Sequence, residues 1–211
     1  MARADVVSAF LAGAAVVSSA IASPEVGEQW SGLSVLEDQS VGSLAGHLAR
    51  GGVWVVGEYL SAGEPDEEVT YDSAGAYYAG LVERSGPDDH HAIRKRGAAI
   101  AAAGHTAVVA ELSQRMDVLR GVLADTPPTR RVAVIGGAVI HLGDYLCTRI
   151  VEQVVHLDDL VRSVGRRWTM NAECIDIAID VGVDVARRRA GDDAVVRALY
   201  RRGFADVLPV L

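Results

Sequence analysis

Cysteine is nearly missing from this chain of 211 residues, which holds only Cys147 and Cys174. They are too few for a disulfide framework and lack metal-site spacing, and such sparing use fits a reducing cytoplasm. Aromatic residues are scarce too, at 5% of a chain that is half hydrophobic. Ala and Val must therefore fill the core, which favours closely packed helices. Positive charge is in deficit: 20 Lys and Arg against 28 Asp and Glu leave a net charge of −8. That balance argues against nucleic acid as the main partner, because phosphate binding needs a concentrated positive surface. The one basic run, Arg187-Arg188-Arg189, ends a helical pattern and complements the helix dipole there. No apolar stretch is long and uninterrupted enough to span a bilayer. The zinc-protease signature His-Glu-x-x-His, a dinucleotide fingerprint and a reactive serine triad are all absent, and Gly136-Gly137 lacks the spacing of a phosphate loop.

The pattern that remains is mainly helical. Met1-Ala2-Arg3-Ala4-Asp5, an apolar run and then Ala20-Ile21-Ala22 before Ser23-Pro24 have the outline of a signal peptide. The helical spacing of Val7, Phe10, Ala14, Val17 and Ile21, and the acid at Asp5, favour retention of residues 4–22 as a first bundle helix. A polar connection containing Trp30 leads to a second helix over 40–60 with Ser40 as N-cap. Residues 61–68 read as a loop, and helical patterns resume over 72–84 and 88–124. Gly97 and Gly104 each cost that long helix about 1 kcal/mol relative to Ala, so close packing against a neighbour is the expected reason for them. After Thr126-Pro127-Pro128, residues 131–141 read as two short strands around Gly136-Gly137, and a bundle helix over 143–165 follows. Helices over 173–190 and 192–202 precede an extended tail over 205–211. With no repeat and no low-complexity linker, a single domain over 1–211 is the economical reading, with 166–211 as a short extension.

The helix over 143–165 carries the chemistry. At about 100° per residue, Tyr145, Arg149, Glu152, His156 and Asp159 share an arc of roughly 80°, beside a separate apolar stripe of Leu146, Ile150, Val154, Leu157 and Val161. Glu152 and His156 lie one turn apart and could grip one metal ion. A polar seam is also what a solvated face looks like, so a third donor on another element has to separate the two readings. His47 is the candidate, at the edge of the stripe Val41, Leu44, Leu48 and Val55. Two His and one Glu suit a catalytic divalent site, since three protein ligands leave one position open.

Trp30 through Gly52, with its Ser-Val-x-x-Leu-Ala-x-His-Leu-Ala-Arg run, resembles the second-helix signature of the DinB/YfiT-like superfamily, specifically the mycothiol-dependent maleylpyruvate isomerase N-terminal domain family. The stretch from Asp144-Tyr145-Leu146 through Glu152 and His156 to Asp158-Asp159-Leu160 is similar to that family's last bundle helix. The resemblance spans residues 5–165 in order and spacing. It implies an antiparallel four-helix bundle, mainly all-α, with a small β-hairpin before the last bundle helix. It also implies His47, Glu152 and His156 as ligands of a divalent metal, zinc before Ni2+ or Fe2+, whose open position receives the thiolate of mycothiol.

Asp159 then becomes an outer-shell acceptor for His156, and Arg149 and Arg50 become candidates to neutralise an acidic substrate, with surface roles as the competing reading. Among the other histidines, His90 and His91 are expected to be solvated at a helix start, His141 to flank the hairpin, and His105 to be at most a fourth ligand. Cys147 falls about 140° round the helix from Glu152 and is expected to pack rather than ligate. Two functions fit. One is a cytoplasmic thiol transferase or isomerase, monomeric or homodimeric, that uses a small thiol and an electrophile. The other is a non-catalytic metal-binding bundle with a regulatory or small-molecule-binding role. Isomerase members of the family carry a further C-terminal domain, while about 45 residues follow the last bundle helix here, which lowers the specific expectation of maleylpyruvate isomerisation.

Overall fold

The computed structural model describes residues 5–84 and 86–208, with 87–90 described by their backbone alone. The expected helix start at residue 4, the His90 side chain and the last residues of the tail, 209–211, lie outside the described residues.

Helix α1 (Val6–Ile21) begins where Asp5 accepts from the Val7 amide at 3.2 Å, satisfying one of the orphan donors of a helix start. Its apolar face is the expected one: Phe10, Ala14, Val17 and Ile21 are fully buried. Burial of a Phe or Ile side chain contributes about 1.5–3 kcal/mol, so this face is a substantial part of the core. The segment packs as a core helix. A short helix absent from the sequence reading follows, α2 (Pro24–Glu28), with Pro at its first turn and Ser23 as cap.

The expected second helix is present but divided. Helix α3 (Val41–Ala49) starts at Ser40, whose hydroxyl accepts from the Ser43 amide at 3.0 Å. Residues Arg50–Trp54 then form a π-helical turn before α4 (Val55–Ser61). Helix α5 (Ala74–Arg84) matches expectation, whereas the long helix over 88–124 does not. It is broken into α6 (Pro87–Ala101) and α7 (His105–Ala124). The two glycines in it have different reasons. A Cβ on Gly97 would sit 2.6 Å from the Ser43 carbonyl oxygen and 3.2 Å from the His47 Cβ, so α3 and α6 touch backbone to backbone there. Gly104 faces open space, and its φ of 87° is what ends α6 and begins α7.

Strands β1 (Arg131–Ala133) and β2 (Val139–His141) pair antiparallel, with Val132 opposite Ile140, and Gly136 and Gly137 turn the chain at positive φ. Helix α8 (Leu142–Ser163) follows directly, then α9 (Ala172–Ala190) and α10 (Asp192–Tyr200). A turn of 3-10 helix at Ala205–Val207 replaces the expected extended tail in its described part. The bundle is built by α1 against α8 and α7, α3 against α8 and α6, and α4 against α7. A smaller apolar cluster of Ala74, Tyr78, Val151, Val181 and Val185 ties α5 and α9 to the outer side of α8. Among the described residues, no helix is long and apolar enough to cross a membrane.

Candidate metal centre

The expected polar seam of α8 does not face solvent. Tyr145 and Arg149 are buried, and Glu152, His156 and Asp159 are half-buried between α3 and α5. Burial of the seam sets its chemistry, because polar groups taken out of water need partners.

Glu152 is the hub. Its Oε2 lies 3.4 Å from His47 Nε2 and 3.6 Å from His156 Nε2, and the two imidazoles meet edge to face with centroids 4.8 Å apart. All three donor atoms fall within 4.8 Å of one another. An ion held tetrahedrally at about 2.0–2.1 Å from each donor needs donors about 3.3–3.5 Å apart, so the carboxylate-to-imidazole distances already suit one ion. The donor set, two nitrogens and one oxygen, suits a divalent cation of zinc type.

Two of the donors are held from behind. His156 Nδ1 lies 3.0 Å from Asp159 Oδ2, which presents Nε2 to the centre. The Tyr78 hydroxyl lies 3.0 Å from Glu152 Oε1 and 2.8 Å from the Thr148 carbonyl, sharing its one proton between them. That arrangement ties down one carboxylate oxygen and leaves the other to the imidazoles. Burial alone would raise the Glu152 carboxyl, but the hydrogen bond to His47 and the charges of Arg149 and His156 outweigh it and hold the group well below the usual carboxylate range. Burial alone would lower the His156 imidazole; Asp159 and Glu152 raise it above its ordinary value.

Arg149 corrects a sequence expectation. It is not a surface residue but is buried, its guanidinium stacked 4.8 Å over the Tyr145 ring and donating to the Gly51 carbonyl at 2.9 Å and to Thr148 Oγ1 at 3.0 Å. The π turn explains the first bond. A π turn leaves backbone carbonyls out of the regular ladder, and the side chains of α8 take them up: Arg149 takes Gly51, and Gln153 Nε2 takes Gly52 at 2.8 Å.

Two of the donors, His47 and Glu152, open onto a cavity of about 300 Å³. Four arginines, Arg50, Arg84, Arg96 and Arg149, line it together with Tyr59, Tyr77 and Tyr145 and apolar side chains that include Leu81 and Ile93. Arg50 is paired with Glu58 at 2.7 Å and Arg84 bonds the Tyr71 hydroxyl, while among the described residues Arg96 has no ion-pair or hydrogen-bond partner.

His105 is elsewhere, its Nε2 2.7 Å from the Ile21 carbonyl and its ring against Trp30, so it is no fourth donor. His141 flanks the hairpin with Nδ1 2.8 Å from the Thr129 carbonyl, and His91 is exposed. Cys147 is half-buried and has an interaction partner; it is not among the converging donors. Sequence reasoning missed Tyr78, Arg84 and Arg96. They stand on helices whose own periodicity gives no sign of facing α8, and only the packing of α5 and α6 brings them to the site.

No curated protein and no solved structure matches the chain. The family model described as the mycothiol maleylpyruvate isomerase N-terminal domain matches residues 10–161, which include most of α1, the π turn and all three converging donors, and the chain belongs to that family.

Proposed function

We propose that His47, Glu152 and His156 hold one divalent ion, zinc by donor type, and that the chain is a mycothiol-dependent thiol transferase or isomerase for a small anionic electrophile. The observation that supports this reading above the others is the convergence of three donors within 4.8 Å, two of which, His47 and Glu152, stand at the wall of an arginine-lined cavity. When bound, the ion lowers the pKa of a thiol or water at its open position, supplying a nucleophile at neutral pH.

The chain's own residues do the rest. Asp159 and Tyr78 fix the donor atoms so that little reorganisation is needed on loading. Tyr59, Tyr77, Leu81 and Ile93 give the cavity apolar walls that exclude water from the reacting groups. Arg96 and Arg149 supply the positive charge that attracts a carboxylate, and a planar guanidinium can bind it through two parallel hydrogen bonds. Whether the product is the thiol adduct or an isomer formed by its collapse depends on the electrophile.

The experiment has two parts. Metal content of the purified protein is measured first, then mycothiol consumption with a panel of carboxylated and neutral electrophiles. About one ion per chain and faster thiol loss with carboxylated substrates are expected. Equal metal content in wild type and a His47→Ala/His156→Ala double variant would sink the site. A loaded but catalytically silent protein would favour the non-catalytic binding bundle instead.

A further inference from the structure

Outside the cavity, the most exposed apolar surface near one end of the chain belongs to α9 and α10. In α9 the buried face is Cys174, Val181, Val185 and Ala186. Its opposite face leaves Ile175 and Ile179 exposed, one turn apart, with Glu173, Asp176 and Asp180 along one flank. In α10 only Val195 is buried. Val196, Leu199 and Tyr200 form an exposed stripe at helical spacing, Tyr200 being 72% exposed, with Phe204 just beyond and Arg197, Arg201 and Arg202 beside it.

The two stripes carry the same apolar chemistry and opposite charge. Among the described residues, Glu173, Asp176 and Asp180 take part in no ion pair, and neither does Arg202. The Arg201 guanidinium reaches only the neighbouring Tyr200 carbonyl, at 3.0 Å, and Arg197 has only a distant approach of 3.9 Å to the fully solvated Asp193. Gly191, at a φ of 85°, and the bond of Arg187 Nε to Asp192 Oδ1 at 2.7 Å fix the joint between the two helices. The stripes are therefore held in a set relation, each without a partner among the described residues.

We propose that they are the two halves of an isologous contact between two copies of this chain, α9 of one copy lying against α10 of its partner and the reverse. The occupant is argued from charge. Each copy offers the acidic flank of α9 and the basic C-terminal end of α10 beside two separate apolar stripes, so a two-fold arrangement sets each acidic flank against a basic end and covers both stripes at once. Two-fold closure also stops assembly at the dimer, because the same surface is used on both sides. The interface is amphipathic, with an apolar centre and a charged rim, as non-obligate contacts between folded chains are.

The test reads mass and is independent of metal or activity. Sedimentation equilibrium of the full chain should give twice the chain mass, with dissociation strengthened as salt rises from about 0.05 to about 0.5 M. Two variants are then made at exposed positions. Asp176→Lys/Asp180→Lys places positive charge on both stripes; Arg197→Glu/Arg201→Glu places negative charge on both. Each alone should weaken dimerisation by about 100-fold through like-charge contacts, with unchanged helical circular dichroism. An equimolar mixture of the two should recover a heterodimer, because each altered stripe then meets its opposite. Wild type that stays monomeric at every concentration would overturn the proposal, as would a folded mixture that fails to pair, or a dimer that neither swap weakens. Monomeric wild type that binds vesicles of anionic lipid would assign the face to a membrane surface instead and would equally overturn it.

Discussion

Asp159 reaches back across one turn of α8 and places its Oδ2 3.0 Å from Nδ1 of His156. A bond over that spacing on a single helix requires both side chains to lean along the seam, and it fixes which imidazole nitrogen faces Glu152. Replacing Asp159 by Asn should weaken metal binding about 10- to 100-fold, measured by competition with a chromogenic chelator. His156→Ala should lose more, since a direct bond goes. His141→Ala should leave affinity unchanged, because that ring is engaged with the Thr129 carbonyl.

Tyr78 supplies a second arm of support from a different helix. Tyr78→Phe removes the hydroxyl shared by Glu152 Oε1 and the Thr148 carbonyl while keeping the ring in its apolar cluster. Metal affinity should fall about 10-fold and thermal stability by about 1–3 kcal/mol, the cost of leaving buried acceptors short of a donor. An unchanged chelator competition curve would show that Glu152 is held without it.

Arg149 joins the site to the π turn. Arg149→Met should cost about 1.5–3 kcal/mol for the lost charged hydrogen bond to Gly51. Arg149→Lys should rescue little, because an ammonium cannot serve Gly51, Thr148 and the Tyr145 face together as a planar guanidinium does. Urea midpoints of the three proteins measure both effects.

Gly97→Ala should push α3 from α6, since the new Cβ would meet the Ser43 carbonyl at 2.6 Å. His47 lies on the displaced face, so metal affinity should fall along with a loss of about 1–3 kcal/mol in stability. The same change at Gly121, where a Cβ meets nothing within 4 Å, is the control and should leave both intact.

Removing the ion with a chelator should leave helical circular dichroism unchanged, because the apolar core is contiguous without it. Adding metal back at about 100 times its dissociation constant should stabilise the chain by about 2.7 kcal/mol, a melting shift of roughly 5–11 °C for a chain of this size.

Much of this is legible in the sequence. The α8 seam follows from 3.6-residue periodicity alone, and His47 from its place at the edge of an apolar stripe. The β-hairpin announced itself through Gly136-Gly137. What escaped the sequence depended on tertiary packing or on a single dihedral. Gly97 and Gly104 look alike in a helical pattern, yet one marks a close crossing and the other a break. Arg149 read as a surface cation because periodicity places a side chain on a face but does not say what covers that face. Tyr78 and Arg96 needed the packing of α5 and α6 against the rest of the bundle.

The π turn at Arg50–Trp54 also makes the centre sensitive to chain length. Such a turn holds one residue more than an α-helical turn, and its wider loop absorbs that residue so that the helices on either side keep their facing. Deleting any one residue between His47 and Val55 would let the helix close as a regular α-helix. The Gly51 and Gly52 carbonyls would return to the helical ladder, stranding the buried Arg149 and Gln153 side chains behind Glu152. No donor would have been mutated, yet the wall that holds the donors would be unpaired: the spacing in this stretch is as much a part of the centre as the imidazoles.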